Sequence, residues 1–529
     1  MAAGSAFGCS LMGCDSEFVI PCLGPAPAPV PVAGMTYIRA SEIGCALDCS
    51  LENGRNKYTG GVATDDGPRI NAAMAGATAD NPITLIIDGS ALISGLFLPA
   101  GGYWNIAGLG CGTGFFVKKG SNNDGIHNGP PDAAVPFDPG PPAPGRGMNV
   151  SLSNFTLNGN QGGDSTTGTQ QGEGGKAWYC GINLMNLDNI LIENVVVVNT
   201  PAYHIRLSNV GNVNVTGSVM KSHGPSTDGL HFDGPANDIT ISNCDFTTGD
   251  DSIALNCPEG HSGNISRVVV TNCTFNSLSL MRLYTTNWSP AKFSIDKVSV
   301  SNCSGTLSEA CFLIGLSNGS RPNSVDSLTI SDCNLTAPTV LGIAENFGTI
   351  VLRNVTFIPF RSKVVWVAPQ VNHICAFLRP SPLYGGETYV GSNLSFENCI
   401  ISRSADIEVA AVILENDSTI NNLTFSGFAL RDIGSYSAVP NLINIGRGSI
   451  GQLVLDSLDS THIKAPTSAG EFLSVGSVTG AGVLATGWEF PDAAMANGLP
   501  YISASTGLPS IKVGGVVEPY PRSSLRIST

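Results

Sequence analysis

Four segments of the 529-residue chain gather the side chains of acid–base chemistry: PAYHIRLS from Pro201, STDGLHFDG from Ser226, TGDDSIALN from Thr248 and LSLMRLYT from Leu278. Each reads as a strand in which alternate residues face opposite ways. With Ile205, Leu230, Ile253 and Met281 set at one inward position and Leu207, Phe232, Leu255 and Leu283 at the next, Arg206, His231, Ala254 and Arg282 face outward together. Ser208, Asp233, Asn256 and Tyr284 make the flanking outward row, and Asp228 stacks beside Asp251 at the strand entrance, with Asp250 adjoining and His204 on the same face.

Three crowded carboxyl groups, two arginines and histidines on one surface patch suit a particular division of labour. Like charges at short separation do not all ionise easily, so one carboxyl should be raised in pKa and act as a proton donor. Cleavage of a glycosidic bond needs such a donor for the leaving oxygen and a second carboxylate to activate water. The arginines offer forked hydrogen bonds to a carboxylate on the sugar, which points to an anionic, uronic-acid-like substrate. A Gly-Asp-Asp run alone is a common turn; its coincidence with Asp228 one segment earlier and Arg282 one segment later gives it chemical weight.

What would hold these segments in register is a repeat. From residue 149 a phrase of alternating strand, then Asn, then a small or apolar residue recurs: VSLSNF to Phe155, ILIENV to Val195, VNVTGS to Ser218, ITISNC to Cys244, VVVTNC to Cys273, VSVSNC to Cys303, LTISDC to Cys333, IVLRNV to Val355, LSFENC to Cys399, LTFSGF to Phe428 and LVLDSL to Leu458. Most steps are 22 to 30 residues; those of 40 and 44 imply a hidden coil or an insertion. So short a unit cannot bury its own apolar face, so successive copies must stack around a shared core. Three short strands per interval predict a three-sided coil. Asn154, Asn194, Asn243, Asn272, Asn302, Asn354 and Asn398 then form a corner ladder, where Asn tolerates the left-handed backbone of a sharp turn. Cys244, Cys273, Cys303, Cys333 and Cys399 take the next slot, interchangeable with Phe, Val and Leu, and read as small core hydrophobes.

Composition agrees with strands and polar turns: 13% of residues are charged and 63 are Gly. A formal net charge of -15 leaves little attraction for nucleic acid or anionic membranes. No apolar run reaches membrane-helix length, and no Lys or Arg precedes the apolar residues at the start, so a conventional signal peptide is not expected. Cys9, Cys14, Cys22, Cys45 and Cys49 could pair in an oxidising compartment; zinc is disfavoured because no His accompanies them. Thr64, Asp65 and Asp66 before Pro68 read as the start of a short helix capping the solenoid.

The motifs resemble those of the polygalacturonase family of glycoside hydrolases. The resemblance covers Thr64-Asp65-Asp66 and the coils from about 150 to 290. Ser226-Thr227-Asp228 stands for that family's Asn-Thr-Asp, Gly249-Asp250-Asp251 for its Asp-Asp motif, and Arg282-Leu283-Tyr284 for its Arg-Ile-Lys. It implies a pectin-lyase-like right-handed parallel β-helix that inverts configuration without a metal. By the same carry-over Asp250 is the general acid, Asp228 and Asp251 hold the attacking water, and Arg282 binds substrate. Ser226 and Tyr284 depart from the pattern, the latter removing a cation. Gly260-His261-Ser262 imitates the family's Gly-His-Gly but falls in a corner loop, so His231 or His204 would supply the imidazole.

The expectation is thus an all-β, single-stranded right-handed parallel β-helix with a short N-terminal capping helix. Its segments are a Cys/Pro-rich start (1–58), the capping helix with first coils and a Pro-rich loop (59–148), the β-helix with the active face (149–490) and a C-terminal tail (491–529). Catalysis falls to Asp228, Asp250 and Asp251. Substrate binding falls to Arg282, Tyr284, His231, Arg206, His204, Asp233 and Asn256, with no metal and no cofactor. The partner is a polysaccharide, with no nucleic acid and no membrane insertion, and the protein is a monomer or homotrimer, extracellular or virion-associated. Rival readings are a tailspike-type depolymerase of capsule or lipopolysaccharide, a polysaccharide lyase, and a non-catalytic carbohydrate-binding adhesin.

Overall fold

The computed structural model describes residues 21, 24–121, 123–129, 146–161, 179–224, 226–257, 261–285, 293–315, 324–361, 374–380, 388–414, 417–432, 441–445, 448–456, 475–480, 489–490, 500–503 and 508–519. These divide into two compact units: residues within Met1–His231 and Cys244–Ile253, and residues within Phe232–Asn243, Ala254–Ser362 and Val367–Thr529. Each is a parallel β-helix, as the repeat requires.

In the first unit three parallel sheets run side by side along the chain. Sheet A carries the recurring phrase: Ile83 pairs with Trp104, Trp104 with Val150, Val150 with Ile190 and Ile190 with Val213, all buried. Sheet B stacks Ala91, Phe115, Leu157, Val197, Met220 and Phe246, every one fully buried. Sheet C stacks Leu96, Ile126, Ile182 and Ile205. Burying a side chain of this size contributes roughly 1.5–3 kcal/mol, so the stacks are what no single coil could supply alone.

The second unit repeats the plan. Val268, Val298, Leu328, Ile350, Leu394, Leu423 and Leu453 hold one register position through seven coils, each at most 2% exposed. The two long sequence steps are insertions and not hidden coils, because Val150 pairs directly with Ile190 and Leu352 directly with Phe396.

The corner ladder forms as expected. All seven predicted asparagines have φ between 51° and 58°, Asp332 joins them at 54°, and Gly217 and Gly427 fill the slot at 61° and 64°. Side-chain amides link rungs, as from Asn194 Nδ2 to Asn154 Oδ1 at 3.3 Å and from Asn354 Nδ2 to Asp332 Oδ1 at 2.8 Å. A second bend was not foreseen. Asn186, Asn189, Asn209 and Asn212 also take positive φ, inside the long strands Ile182–Glu193 and Ile205–Thr216 that carry sheet C round into sheet A. Asn209 and Asn212 donate to Asn186 and Asn189 one coil back.

The expected core cysteines are free and buried, Cys273, Cys303 and Cys333 one above another. Cys45 and Cys49 are also free and buried, so the pairing envisaged for them does not occur; each lies in packed surroundings that push its thiol up, to about 11 and about 12. Cys9, Cys14 and Cys22 lie outside the described residues. Cys111 is disulfide-bonded.

The helix Gly67–Met74 forms where Thr64-Asp65-Asp66 predicted it. Asp66 does not cap it by side chain; its carboxylate accepts the N–H groups of Ala46 and Leu47 at 2.8 and 2.9 Å. In the C-terminal segment, Pro509–Val513 and Val516–Pro519 form an antiparallel hairpin. Its turn is Gly514-Gly515, both at positive φ, as a tight two-residue hairpin loop demands.

Candidate active site

The first unit brings the three aspartates together through its backbone ladder. His204 N–H donates to the Asp228 carbonyl at 2.8 Å and Gly229 N–H to the Asp251 carbonyl at 2.9 Å, so Asp228 and Asp251 hold one register slot on successive coils. The turns before them brace each other. Thr227 Oγ1 donates to the Gly224 carbonyl (2.8 Å) and accepts from Gly249 N–H (2.9 Å), while Ser226 N–H donates to Asp250 Oδ2 (2.9 Å). Gly249 is required there: a Cβ would sit 2.1 Å from the Gly224 carbonyl oxygen. Ser226 lies at φ 57°, a left-handed position that suits the Asn of the related motif better than Ser.

One oxygen from each of Asp228, Asp250 and Asp251 lies within 4.8 Å of the other two. Asp228 and Asp251 are 3% and 1% exposed, whereas Asp250 is half-buried. His231 donates from Nδ1 to Asp228 Oδ2 at 2.8 Å, and its ring stacks on Tyr203 with centroids 3.8 Å apart and planes 12° apart. His204 Nδ1 lies 2.7 Å from the Asp228 carbonyl, which can only accept, so Nδ1 carries the proton. Burial lowers His204 to about 4, leaving it neutral.

The sequence places these groups on an exposed face; the structure corrects that. Arg206 and His231 are 5% and 0% exposed; His231 is covered by the Tyr203 ring and the Asp228 carboxylate. Alternation along a strand fixes only which way a side chain leaves the core, not what lies against it. Tyr203, which holds His231, lies in the PAYHIRLS segment, where nothing beyond its aromatic ring marks it.

In the second unit Arg282 is half-buried, its guanidinium carbon 5.5 Å from the centroid of the Tyr284 ring. The tyrosine that replaces the related lysine gives Arg282 a π face in place of a like charge. Asp233, Asn256 and Tyr284, expected on open surface, are almost fully buried, and so is His261. Asp, Glu, His or Cys triads close enough to hold a cation number one among the described residues, the aspartate trio itself.

The geometry is a cluster of three carboxyl groups braced by two adjoining turns, and comparison with known proteins bears on its chemistry. Residues 149–277 match the model of glycosyl hydrolases family 28. That stretch contains Asp228, Asp250 and Asp251 and stops short of Arg282 and Tyr284. It supports glycoside hydrolysis as the general chemistry. No curated protein matches the chain. Among solved structures, an exopolygalacturonase from Thermotoga maritima is 12% identical, with 82% of this chain and 94% of that one covered and a TM-score of 0.48. A tailspike protein of an E. coli bacteriophage is 11% identical over 78% and 80%, TM-score 0.46. A surface adhesin of Streptococcus pneumoniae is 13% identical over 78% and 100%, TM-score 0.43.

Proposed function

We propose that the protein hydrolyses glycosidic bonds in a polysaccharide containing acidic, uronic-acid-like sugars, by acid–base catalysis at Asp228, Asp250 and Asp251. The observation that carries this reading is the mutual 4.8 Å approach of the three carboxyl groups. A water held about 2.8 Å from each of two oxygens spans up to roughly 5.6 Å between them, so one water fits between Asp228 and Asp251 and donates to both. Those two carboxylates, buried and in one register slot, then act as base. Asp250, the most exposed of the three, is the acid that protonates the leaving oxygen. In the second unit Arg282, half-buried, carries the forked donors that a sugar carboxylate takes. Polymers of this kind lie outside cells, which suits an extracellular or virion-borne protein.

The test is a screen of the purified protein on pectins, uronans and bacterial capsules, scoring new reducing ends and ultraviolet-absorbing unsaturated sugars separately. Reducing ends alone are expected, and Asp250→Asn should fold normally while releasing at least 10³-fold fewer. Unsaturated products would make the protein a lyase, and undiminished turnover in Asp250→Asn would remove the assignment.

A further inference from the structure

The phrase Asp228-Gly229-Leu230-His231 occurs a second time, as Asp124-Gly125-Ile126-His127. Both copies sit at the same place in the coil. Ile126 pairs with Ile182 and Ile182 with Ile205, while Ile205 N–H donates to the Gly229 carbonyl, so Asp124, Cys180, Tyr203 and Asp228 occupy one slot on four consecutive coils of the first unit. Three rungs at strand spacing put the copies roughly 14 Å apart.

The earlier copy is wired differently. Asp124 accepts from Cys180 N–H at 2.6 Å and from Asn183 Nδ2 at 2.8 Å, so its carboxylate is committed to the protein and fixes the Asn183 amide. That leaves Asn183 Oδ1 facing away from Asp124 with no partner, and His127, 1% exposed, with neither ring nitrogen paired. Phe97, His127, Asn183 and Arg206 share one outward register row on four successive coils. Phe97 meets the His127 ring edge-on at 5.8 Å. Buried polar atoms left unpaired cost about 1–3 kcal/mol each, and three on adjacent rungs of one row call for a common ligand. The row offers a fixed acceptor on Asn183, two ring nitrogens on His127 and an aromatic face on Phe97, with the Arg206 charge on the next rung. Groups that both donate and accept, on a ring with apolar faces, complement it: the hydroxyls of a sugar.

We propose that Phe97, His127, Asn183 and Arg206 form a second sugar-binding subsite, oriented by Asp124, that grips the same glycan whose cleavage is proposed at Asp228, Asp250 and Asp251. It rests on that reading for its ligand class. Asp124, with one oxygen taken by Cys180 N–H and the other by Asn183 Nδ2, makes this a binding and not a cleaving position.

The test uses full-length Asp250→Asn protein and calorimetric titration with tetragalacturonate and, as the neutral arm, cellotetraose. His127→Phe and Asn183→Leu, each added to that background, are expected to weaken whichever tetramer binds by at least tenfold; His127→Phe should leave the thermal midpoint in place, whereas Asn183→Leu, which strips Asp124 Oδ2 of its partner, should lower it. His127→Phe, which repeats the neighbouring Phe97 ring, keeps the test alive if Asn183→Leu does not fold. Unchanged tetramer affinity in a folded variant, or binding of neither tetramer by the parent, overturns the subsite. Reducing-end release that survives Asp250→Asn would instead remove the proposed catalysis and leave the binding result standing.

Discussion

Nδ1 of His231 donates to Oδ2 of Asp228 across 2.8 Å, and the imidazole lies flat on the Tyr203 ring. The bond ties one carboxylate oxygen of Asp228 to the histidine and fixes the plane of the carboxylate beside Asp250 and Asp251. His231 is therefore a positioning residue. A hydrogen bond to a charged group contributes about 1.5–3 kcal/mol, which is roughly 10- to 150-fold in rate. His231→Leu should lower kcat by that factor with KM little changed. His231→Gln, which keeps an N–H donor, should recover part of the loss; equal loss in both variants would mean the ring acts only as packing.

The corner ladder predicts its own substitution pattern. Asn302 sits at φ 53°, where a Cβ-bearing residue without a local hydrogen bond is disfavoured by about 1–2 kcal/mol. Asn302→Ala should lower the denaturation midpoint accordingly. Asn302→Gly should cost less, since Gly217 and Gly427 already serve in that slot. Denaturant titration of the two variants decides it, and an Ala variant as stable as Gly would contradict the left-handed corner.

These two sites mark where sequence was informative and where it was not. Asn at a left-handed turn leaves a trace because few residues tolerate that backbone, so the corner ladder and the aspartates that it registers were legible. The bend at Asn186 and Asn189 left the same trace but lies inside continuous strand pairing, where no turn residues flank it. The burial of Arg206 and His231 was not legible, because period-two alternation says nothing about what covers an outward row. The Asp124 copy of the Asp-Gly-aliphatic-His phrase was visible in principle, yet irregular insertions between Asp124 and Asp228 hide its register until strand pairing is known.

His204 gives stability a pH dependence whose sign is fixed. Burial lowers its pKa from 6.5 to about 4, so between those values the unfolded chain binds more protons than the folded one. The stabilisation is complete above pH 6.5 and is lost progressively as pH falls toward 4. Thermal midpoints measured from pH 7 to pH 4 should fall more steeply in the wild type than in His204→Gln, which cannot titrate. Parallel curves would show that His204 is not buried as a neutral ring.

Stereochemistry and metal dependence separate the remaining uses of the trio. Two carboxylates acting through one water give a single displacement and an inverted anomer, whereas a carboxylate attacking directly gives retention, the outcome usual for carboxyl pairs about 5–5.5 Å apart. The 4.8 Å approach alone would favour retention. The deciding feature is the third carboxyl: with Asp228 and Asp251 both buried and sharing a slot, neither needs to leave the water to serve as nucleophile. Proton NMR of the first product should therefore show inversion, and a chelator such as EDTA should leave the rate unchanged within about twofold. Retention would make Asp228 or Asp251 a nucleophile. Activity lost to EDTA and restored by calcium would make the trio a cation site, since carboxylate oxygens are also what such an ion binds.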